Sequence, residues 1–487
     1  MSELPEIIFA TSDPGESRRL GQWQKAGLIR PIVPRAYTSN LTDSLDRIVR
    51  RNIWILVSRL FPGALISHRT AIEHTISPGN NLYLTSSSRR TYRWPGVTLR
   101  FASGHPPLET DHLYYDTLHV SSFERACLEN LTFSREVEGE KRTIGQDIIE
   151  RRLMDMLQTR GETALNQVRD NARTIAASLD MPASFERLHV IIGALLSTRA
   201  HETLRSPQAR ALSIGEPYDS HRIDLFQTLA SSLHAFTFRK YAEKTKETNT
   251  FSNFAFYEAY FSNYIEGTTF LVEEARDIVY NEAIIPHRLS DSHDIRGTYA
   301  LCSDRSEMQK TPESVAALID LLRYRHNVLL AGRPEKNPGA FKLKANKAGD
   351  SIFVLPDLVS GTLKEGYAIY KGLQDPVGRA LFIMFMISEI HPFDDGNGRI
   401  ARLMMNAELV KAGYTRIIIP TVYREDYLLA LRRLTRKQDP RVYIEMMIRA
   451  LEFSHWLLPN DLDQMEQQLI SANAFLEPEE GVLKWET

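Results

Sequence analysis

Residues 391–402 read HPFDDGNGRIAR, and what flanks this string decides the fold of the carboxy-terminal half. Upstream, DPVGRALFIMFMISEI (375–390) is apolar on nearly every face, which predicts a central buried helix. Downstream, RIARLMMNAELV (399–410) sets Ile400, Leu403, Met404 and Ala407 at helical spacing, which predicts a second helix. The string between them is a passage from core to cleft and back. Gly396-Asn397-Gly398 reaches backbone conformations closed to other residues and lets the main chain approach a ligand. Because a helix starts there, its free N–H groups and macrodipole favour phosphate.

The side chains of the string make a chemical kit. With an ordinary pKa near ~6.5, His391 is a natural general base at neutral pH. Asp395 offers a hard oxygen ligand suited to Mg²⁺, which binds through few carboxylates together with substrate phosphates. Arg399 and Arg402, three apart on the first turn, can project two guanidinium forks to one side, as a polyphosphate requires. Each residue alone has a plainer reading: a satisfied histidine at a helix end, a turn, a solvated arginine pair. None of those readings explains the set.

The string resembles the Fic family motif, HxFx[D/E]GNGRxxR, at every fixed position: His391, Phe393, Asp395, Gly396, Asn397, Gly398, Arg399 and Arg402. The resemblance runs from about residue 214 to 458. It implies transfer of AMP from ATP to a Tyr, Thr or Ser hydroxyl of a target protein, with pyrophosphate leaving. It further implies that His391 is the base and that Asp395 holds Mg²⁺ (or Mn²⁺). The turn residues Gly396, Asn397 and Gly398 with Arg399 would position the α- and β-phosphates, and Arg402 the γ-phosphate. Phe393 is then a core anchor. The alternating stretch FKLKANKAGDSIFVL (341–355) predicts a β-hairpin and resembles the family's flap, which aligns a target segment by strand addition. The kinase-like Doc branch carries Lys where this chain has Gly398, so phosphorylation is disfavoured. Phosphocholine transfer and hydrolytic removal of AMP share the motif and stay open.

Further upstream, FYEAYFSNYIEGTTFLVEEA (256–275) forms an aromatic helical face with Ser262 and Glu266 at i, i+4, then Gly267. Read alone, it is a core helix ending at a glycine cap. It also resembles the family's inhibitory pattern [S/T]xxxE[G/N] in the amino-terminal, class II position. A Glu266 carboxylate paired with Arg402 would consume the guanidinium that a γ-phosphate needs. The Glu266–Arg402 pair is therefore the contact to look for.

Bulk properties frame the rest. With 487 residues, 43% hydrophobic and 25% charged, the chain is that of a folded globular protein of several domains. The net charge of −2 is uneven: residues 1–105 hold 14 Lys+Arg, all but one arginine, against 7 Asp+Glu, leaving about −9 on the remainder. A basic amino-terminal module points to a polyanionic partner for that part alone. Two scattered cysteines, Cys127 and Cys302, fit a reducing compartment. The acidic start MSELPEIIF is no signal peptide, and no apolar run approaches the ~20 residues that span a bilayer. A cytoplasmic protein without membrane contact is expected.

Residues 17–26 predict a short helix with Leu20 and Trp23 inward and Arg18, Arg19, Gln22 and Lys25 available to DNA. LIRPIVPRAY (28–37) follows as a strand–turn–strand wing; residues 43–61 predict one amphipathic helix, and residues 82–85 and 98–101 predict strands. The segments RRLGQWQKAGLIRPIVPRAY, FPGALISHRTAIE and LHVSSFERACLENL resemble the AbiEi family of antitoxin-like regulators, with Arg35-Ala36 replacing that family's wing glycine. Residues 206–220 (SPQARALSIGEPYDS) have the composition of a linker, and the residues after 458 look peripheral.

The expectation is a mainly α protein. A winged helix-turn-helix α+β domain (1–105) and a helical AbiEi-like connecting region (106–205) precede a Fic domain (214–458). That domain contains an inhibitory helix (about 255–275) and a flap (about 341–355), and a tail (459–487) follows it. The expected function is a self-inhibited protein adenylyltransferase, homodimeric, coupled to a DNA-binding regulatory domain. The alternatives are a DNA-binding regulator that uses the Fic part as a nucleotide-responsive module, or a de-AMPylating or phosphocholine-transferring variant.

Overall fold

Buried apolar side chains gather into two cores that share no residue, one running from Ile7 to Ala209 and the other from Ile223 to Leu483. The computed structural model describes residues 4–196, 203–244, 247–285, 287–348 and 351–485. Backbone contacts divide the chain into two units at the same place, Met1–Gly215 and Glu216–Thr487. Among the described residues no helix is long and apolar enough to cross a membrane.

The first unit opens with β1 (Ile7–Phe9), α1 (Pro14–Lys25), β2 (Arg30–Val33) and β3 (Ala36–Thr38), the strands forming an antiparallel sheet in the order β1-β3-β2. Asp13 caps α1 by accepting from the Glu16 N–H at 2.8 Å, with Pro14 at the first helical position. Leu20 is the one buried residue of α1, and Arg18, Arg19, Gln22 and Lys25 are exposed. A helix followed by an antiparallel pair of strands is the order expected for these residues. The element before α1 is a strand, however, and no second helix precedes it among the described residues.

The single helix expected over residues 43–61 is two, α2 (Leu45–Arg51) and α3 (Ile53–Leu60). Asn52 leaves helical geometry (φ −106°, ψ 15°) and donates its side-chain amide to Glu6 Oε2 and the Ile48 carbonyl, each at 2.9 Å. Next come β4 (Leu65–Ile66), α4 (His68–Glu73), β5 (Asn81–Ser86), β6 (Arg90–Trp94), β7 (Val97–Ser103), β8 (His112–Tyr115) and β9 (Leu118–Val120). These strands form a mixed sheet in the order β6-β7-β5-β4-β9-β8. Strands β5 and β7 run parallel, with buried Leu82 opposite Leu99 and Leu84 opposite Phe101, so one face is core. The unit is completed by α5 (Phe123–Asn130), β10 (Glu136–Val137), β11 (Glu140–Lys141), α6 (Gln146–Leu179), α7 (Pro182–Leu195) and α8 (Pro207–Ser213). The segments of α6 meet at Gly161, whose φ of 77° breaks the helix.

Two boundaries differ from the expectation. No division falls near residue 105, because Leu118, Leu153 and Ile191 share one core with Ile7 and Leu82. The stretch after Ser206 is not a free linker: Ser206 caps α8, its own N–H is held by Glu150 Oε2 at 2.6 Å, and Ala209 is fully buried. Composition marked it as loop; packing of one small face made it helix.

The second unit contains α9 (Ser220–Ala235), α10 (Thr248–Ile265), α11 (Val272–Tyr280), α12 (Leu289–Ser303), α13 (Arg305–Met308), α14 (Val315–Leu329), β12 (Lys347–Ala348), β13 (Ser351–Ile352), α15 (Val359–Gly372), α16 (Pro376–Ile390), α17 (Asn397–Ala412), α18 (Arg424–Lys437), α19 (Pro440–Trp456) and α20 (Leu462–Ser471). At its centre α16 packs against α17. Helix α16 starts where Asp375 accepts from the N–H groups of Val377 and Gly378 (2.8 and 3.0 Å), and it buries residues on every face. The expected hairpin is present but shorter, two residues per strand, with Lys347 opposite Ile352; residues 349–350 at its tip lie outside the described residues.

The tail corrects a further expectation. Beyond residue 458, Met465, Leu469, Ala472, Ala474 and Leu483 are buried in the core of this unit. Phe475 stacks on Phe261 of α10 (centroids 5.2 Å apart) and meets Tyr260 edge-on at 5.7 Å, while Tyr264 donates to Glu477. Acidic composition made these residues look peripheral, but one aromatic side chain anchors them. We predict that Phe475→Ala lowers stability by about 3 kcal/mol, the lower end of the range for Phe→Ala because the ring is part-buried, read as a fall in the urea midpoint.

Candidate active site

The passage between α16 and α17 is held by its own side chains. His391 ends α16 in the left-handed region (φ 54°), and Gly396 (φ 73°) precedes the first residue of α17. Asn397, that first residue, is 1% exposed and folds back on Phe393: its Oδ1 accepts from the Phe393 N–H (2.8 Å) and its Nδ2 donates to the Phe393 carbonyl (2.9 Å). Both ends of the amide thereby shape the loop. Asn346 donates to the same carbonyl at 2.9 Å, tying the loop to the segment that leads into β12.

Phe393 is fully buried, as expected of an anchor, and stacks on His326 of α14 at 3.8 Å. The Gly339 N–H donates to His326 Nδ1 (2.8 Å), so Nε2 carries the proton and donates to the Asp395 carbonyl (3.1 Å). Burial holds His326 neutral, its pKa lowered to about 4.

His391 is set up as a base. Its Nδ1–H donates to the Ser388 carbonyl at 3.1 Å, which leaves the Nε2 lone pair free. Phe353, just after β13, covers the ring in a parallel stack at 3.7 Å. Burial first, and the Lys342 ammonium after it, lower its pKa to about 4, opposed by the Ser388 carbonyl and by Glu266 and Asp395. The ring is therefore neutral at pH 7. Lys342 is itself buried, donates to Asn346 Oδ1 at 2.6 Å, and is lowered to about 8 by burial.

On the cationic side both arginines are paired, although the Arg399 Nε has no hydrogen-bond partner among the described residues. Arg399, 2% exposed, pairs with Asp294 of α12 at 2.6 Å and donates to Asn263 Oδ1 of α10 at 3.2 Å. Arg333 bridges Asp294 (3.0 Å) and Asp395 Oδ2 (3.0 Å), and Lys336 and Arg399 stand 3.9 and 3.8 Å from the Asp395 carboxylate. Among the described residues no three His, Cys, Asp or Glu side chains converge as a metal cluster. Asp395 is a single, partly exposed carboxylate, which fits a cation held mostly by water and substrate phosphate, and Arg333 competes for the same oxygen.

Arg402 meets the last turn of α10. Its Nε donates to Ser262 Oγ (3.0 Å), and its Nη2 donates to the Ser262 carbonyl (2.8 Å) and to Glu266 Oε1 (2.7 Å). Burial works against this charge, but Glu266 outweighs it, and the guanidinium is held above its ordinary pKa. Glu266 caps α10, and Gly267 turns the chain away with a φ of 92° that favours glycine. A β-carbon on Gly398 would overlap Glu266 Oε1, so the carboxylate lies against the bare backbone at the start of α17. There the first N–H groups have no carbonyl one turn earlier to bond. A negative charge already occupies the ground that a phosphate would take.

Residues 317–409 match the Fic/DOC family. This segment is a Fic/DOC domain. The chain is similar to a protein adenylyltransferase Fic of Culex quinquefasciatus, 29% identical over 273 residues, covering 54% of this chain and 53% of that one. A protein adenylyltransferase Fic of Drosophila grimshawi is 37% identical over 112 residues, covering 22% of each chain. The chain spans about half the length of the first of these relatives. A Fic domain containing signaling protein from Bacteroides thetaiotaomicron gives a TM-score of 0.38 at 20% identity, over 50% of this chain and 97% of that one. At that level the likeness bears on neither fold nor function.

The matched segment holds His391, the loop and both arginines. Ser262, Glu266, Gly267 and Asp294 lie before it. The structure brings all of these together, whereas Arg18, Arg19, Gln22 and Lys25 belong to the other unit. Sequence reasoning missed Asp294, Arg333, His326, Asn346 and Lys342. Each is a single polar residue with no local pattern, and only its partner across the fold marks it. In NMR of ring-labelled histidine, we predict that the His391 resonance titrates near pH 4 rather than ~6.5, so the Nε2 base is lost only as pH falls through about 4.

Proposed function

We propose that this chain is a self-inhibited protein adenylyltransferase, which transfers AMP from ATP to a Tyr, Thr or Ser hydroxyl of a target protein. One observation carries the reading: a neutral histidine with a free Nε2 beside a helix start whose anion ground is held by Glu266. The target hydroxyl attacks the α-phosphorus, the bond to the β-phosphate oxygen breaks, and pyrophosphate leaves. His391 Nε2 takes the hydroxyl proton as the bond forms. The backbone of Gly396 and Gly398 at the α17 start cradles phosphate oxygens, and Arg399, fixed by Asp294, faces them. A divalent cation, Mg²⁺ or Mn²⁺, held at Asp395 would neutralise charge on the pyrophosphate. The hairpin edge at Lys347–Ala348 and Ser351–Ile352 offers main-chain groups for a target strand.

Inhibition follows from competition for one guanidinium. Arg402 cannot serve Glu266 and a γ-phosphate at once, and Glu266 also fills the space above Gly398. A lysine at position 398 would meet the same carboxylate, so the glycine and the glutamate belong together. Glu266→Gly frees Arg402 and removes a charge-assisted bond, an effect of about 1.5–3 kcal/mol. We predict roughly tenfold or more AMP transfer in that variant, measured as the +AMP mass on self or lysate proteins, and none in Glu266→Gly with His391→Ala. Unchanged labelling would sink the inhibitory role. A phosphocholine adduct, or loss of AMP from a pre-labelled protein, would favour the sister chemistries instead.

We further infer that the first unit binds DNA through α1, whose exposed Arg18, Arg19, Gln22 and Lys25 give the reading its one structural support. A chain that binds DNA and responds to nucleotide without transferring AMP is the competing version. In a shift assay on promoter fragments, Arg18→Ala with Lys25→Ala is expected to weaken binding and flatten its salt dependence by about two phosphate contacts.

A further inference from the structure

The first unit carries a cleft of about 630 Å³ between strands β5–β7 and the segment 133–142, which includes the β10–β11 hairpin. Its size is that of a small-molecule site, roughly 300–1,000 Å³. Arg89, Arg135 and Arg142 line it, and none of the three takes part in an ion pair among the described residues. Elsewhere in this unit Arg51 pairs with Glu6 and Arg93 with Glu138. The one acid lining the cleft, Glu140, is already engaged. It pairs with Arg69 at 3.0 Å and accepts from Asn81 Nδ2 at 2.7 Å and the Tyr83 hydroxyl at 3.1 Å. The cleft thus presents three guanidinium groups without an acidic partner, beside Arg100, which is paired with Glu138, on a concave surface where their field is focused on an anion.

Phe133 stands in the same wall, 78% exposed. A bare aromatic ring among arginines is a stacking surface for a planar ring that brings its own negative charge. We propose that this cleft binds a nucleoside phosphate, its phosphate on the arginines and its base on Phe133. The site is separate from the Fic domain nucleotide and from the exposed face of α1. It stands whether or not either of those readings does. Its ligand is a free nucleotide or the end of a single strand, which present the same chemistry.

The test uses the full chain and four probes: UMP, a 5′-phosphorylated hexathymidylate, phosphotyrosine and inorganic phosphate, titrated by calorimetry or anisotropy. A pyrimidine is used to keep the probe apart from an adenine site, and only signal lost in cleft variants counts. Arg135→Ala with Arg142→Ala is expected to weaken UMP or the oligonucleotide at least tenfold. Phe133→Ala is expected to weaken the same probe by about fivefold or more while leaving inorganic phosphate unchanged. All three positions are exposed, and matching thermal melts will show that the variants fold. Tight UMP assigns a free nucleotide, and binding of the oligonucleotide alone assigns a strand end. The proposal is overturned if neither probe binds at millimolar concentration, or if the variants bind as the parent does. Phosphotyrosine binding as tightly as UMP overturns it too.

Discussion

A chain that leaves one buried helix and enters another must satisfy every polar group of the turn between them, and here Asn397 does most of that work. Its amide closes on both backbone groups of Phe393, and the Phe393 ring is clamped by His326, whose Nε2–H reaches the Asp395 carbonyl. With the loop fixed at both ends, His391 can sit at the lip of the core in a left-handed conformation, and the α17 start can stay bare. A looser loop would let both positions drift, and a proton acceptor displaced by an ångström loses most of its effect.

Around that loop the charges form a closed circuit. Asp294 holds Arg399 and Arg333, Arg333 reaches Asp395, and Glu266 with Ser262 holds Arg402. Each buried charge has a partner, which is the condition for keeping it buried at all. The same condition leaves Arg399, Arg402 and Asp395 each paired with a protein partner. Helix α10 ends at Glu266 and also carries Phe261, Tyr260 and Tyr264, on which the tail is anchored. The Glu266–Arg402 pair and the anchorage of the chain end therefore share one helix.

The sequence was read well where function and local pattern coincide. HPFDDGNGRIAR announced a loop between two apolar helices, and SNYIEG announced a carboxylate at a helix end; both are in place. It was misread where composition stood in for packing. SPQARALS looked like linker yet buries Ala209, and the acidic residues after 476 drew attention away from Phe475. The closure of the Asn397 amide on Phe393 has no mark in the sequence, and only the hydrogen bonds show it.

By itself the sequence determined that His391, the glycine turn, Arg399 and Arg402 share one passage between two helices, because they are adjacent in the chain. It also determined that Ser262 and Glu266 lie on one helical face. Tertiary structure alone decided that this face meets Arg402, 136 residues away from Glu266, and that Asp294 and His326 serve the loop. Pairing of buried charge is non-local: a lone acid on a distant helix has no periodicity to betray it, and its partner is known only once the cores have closed.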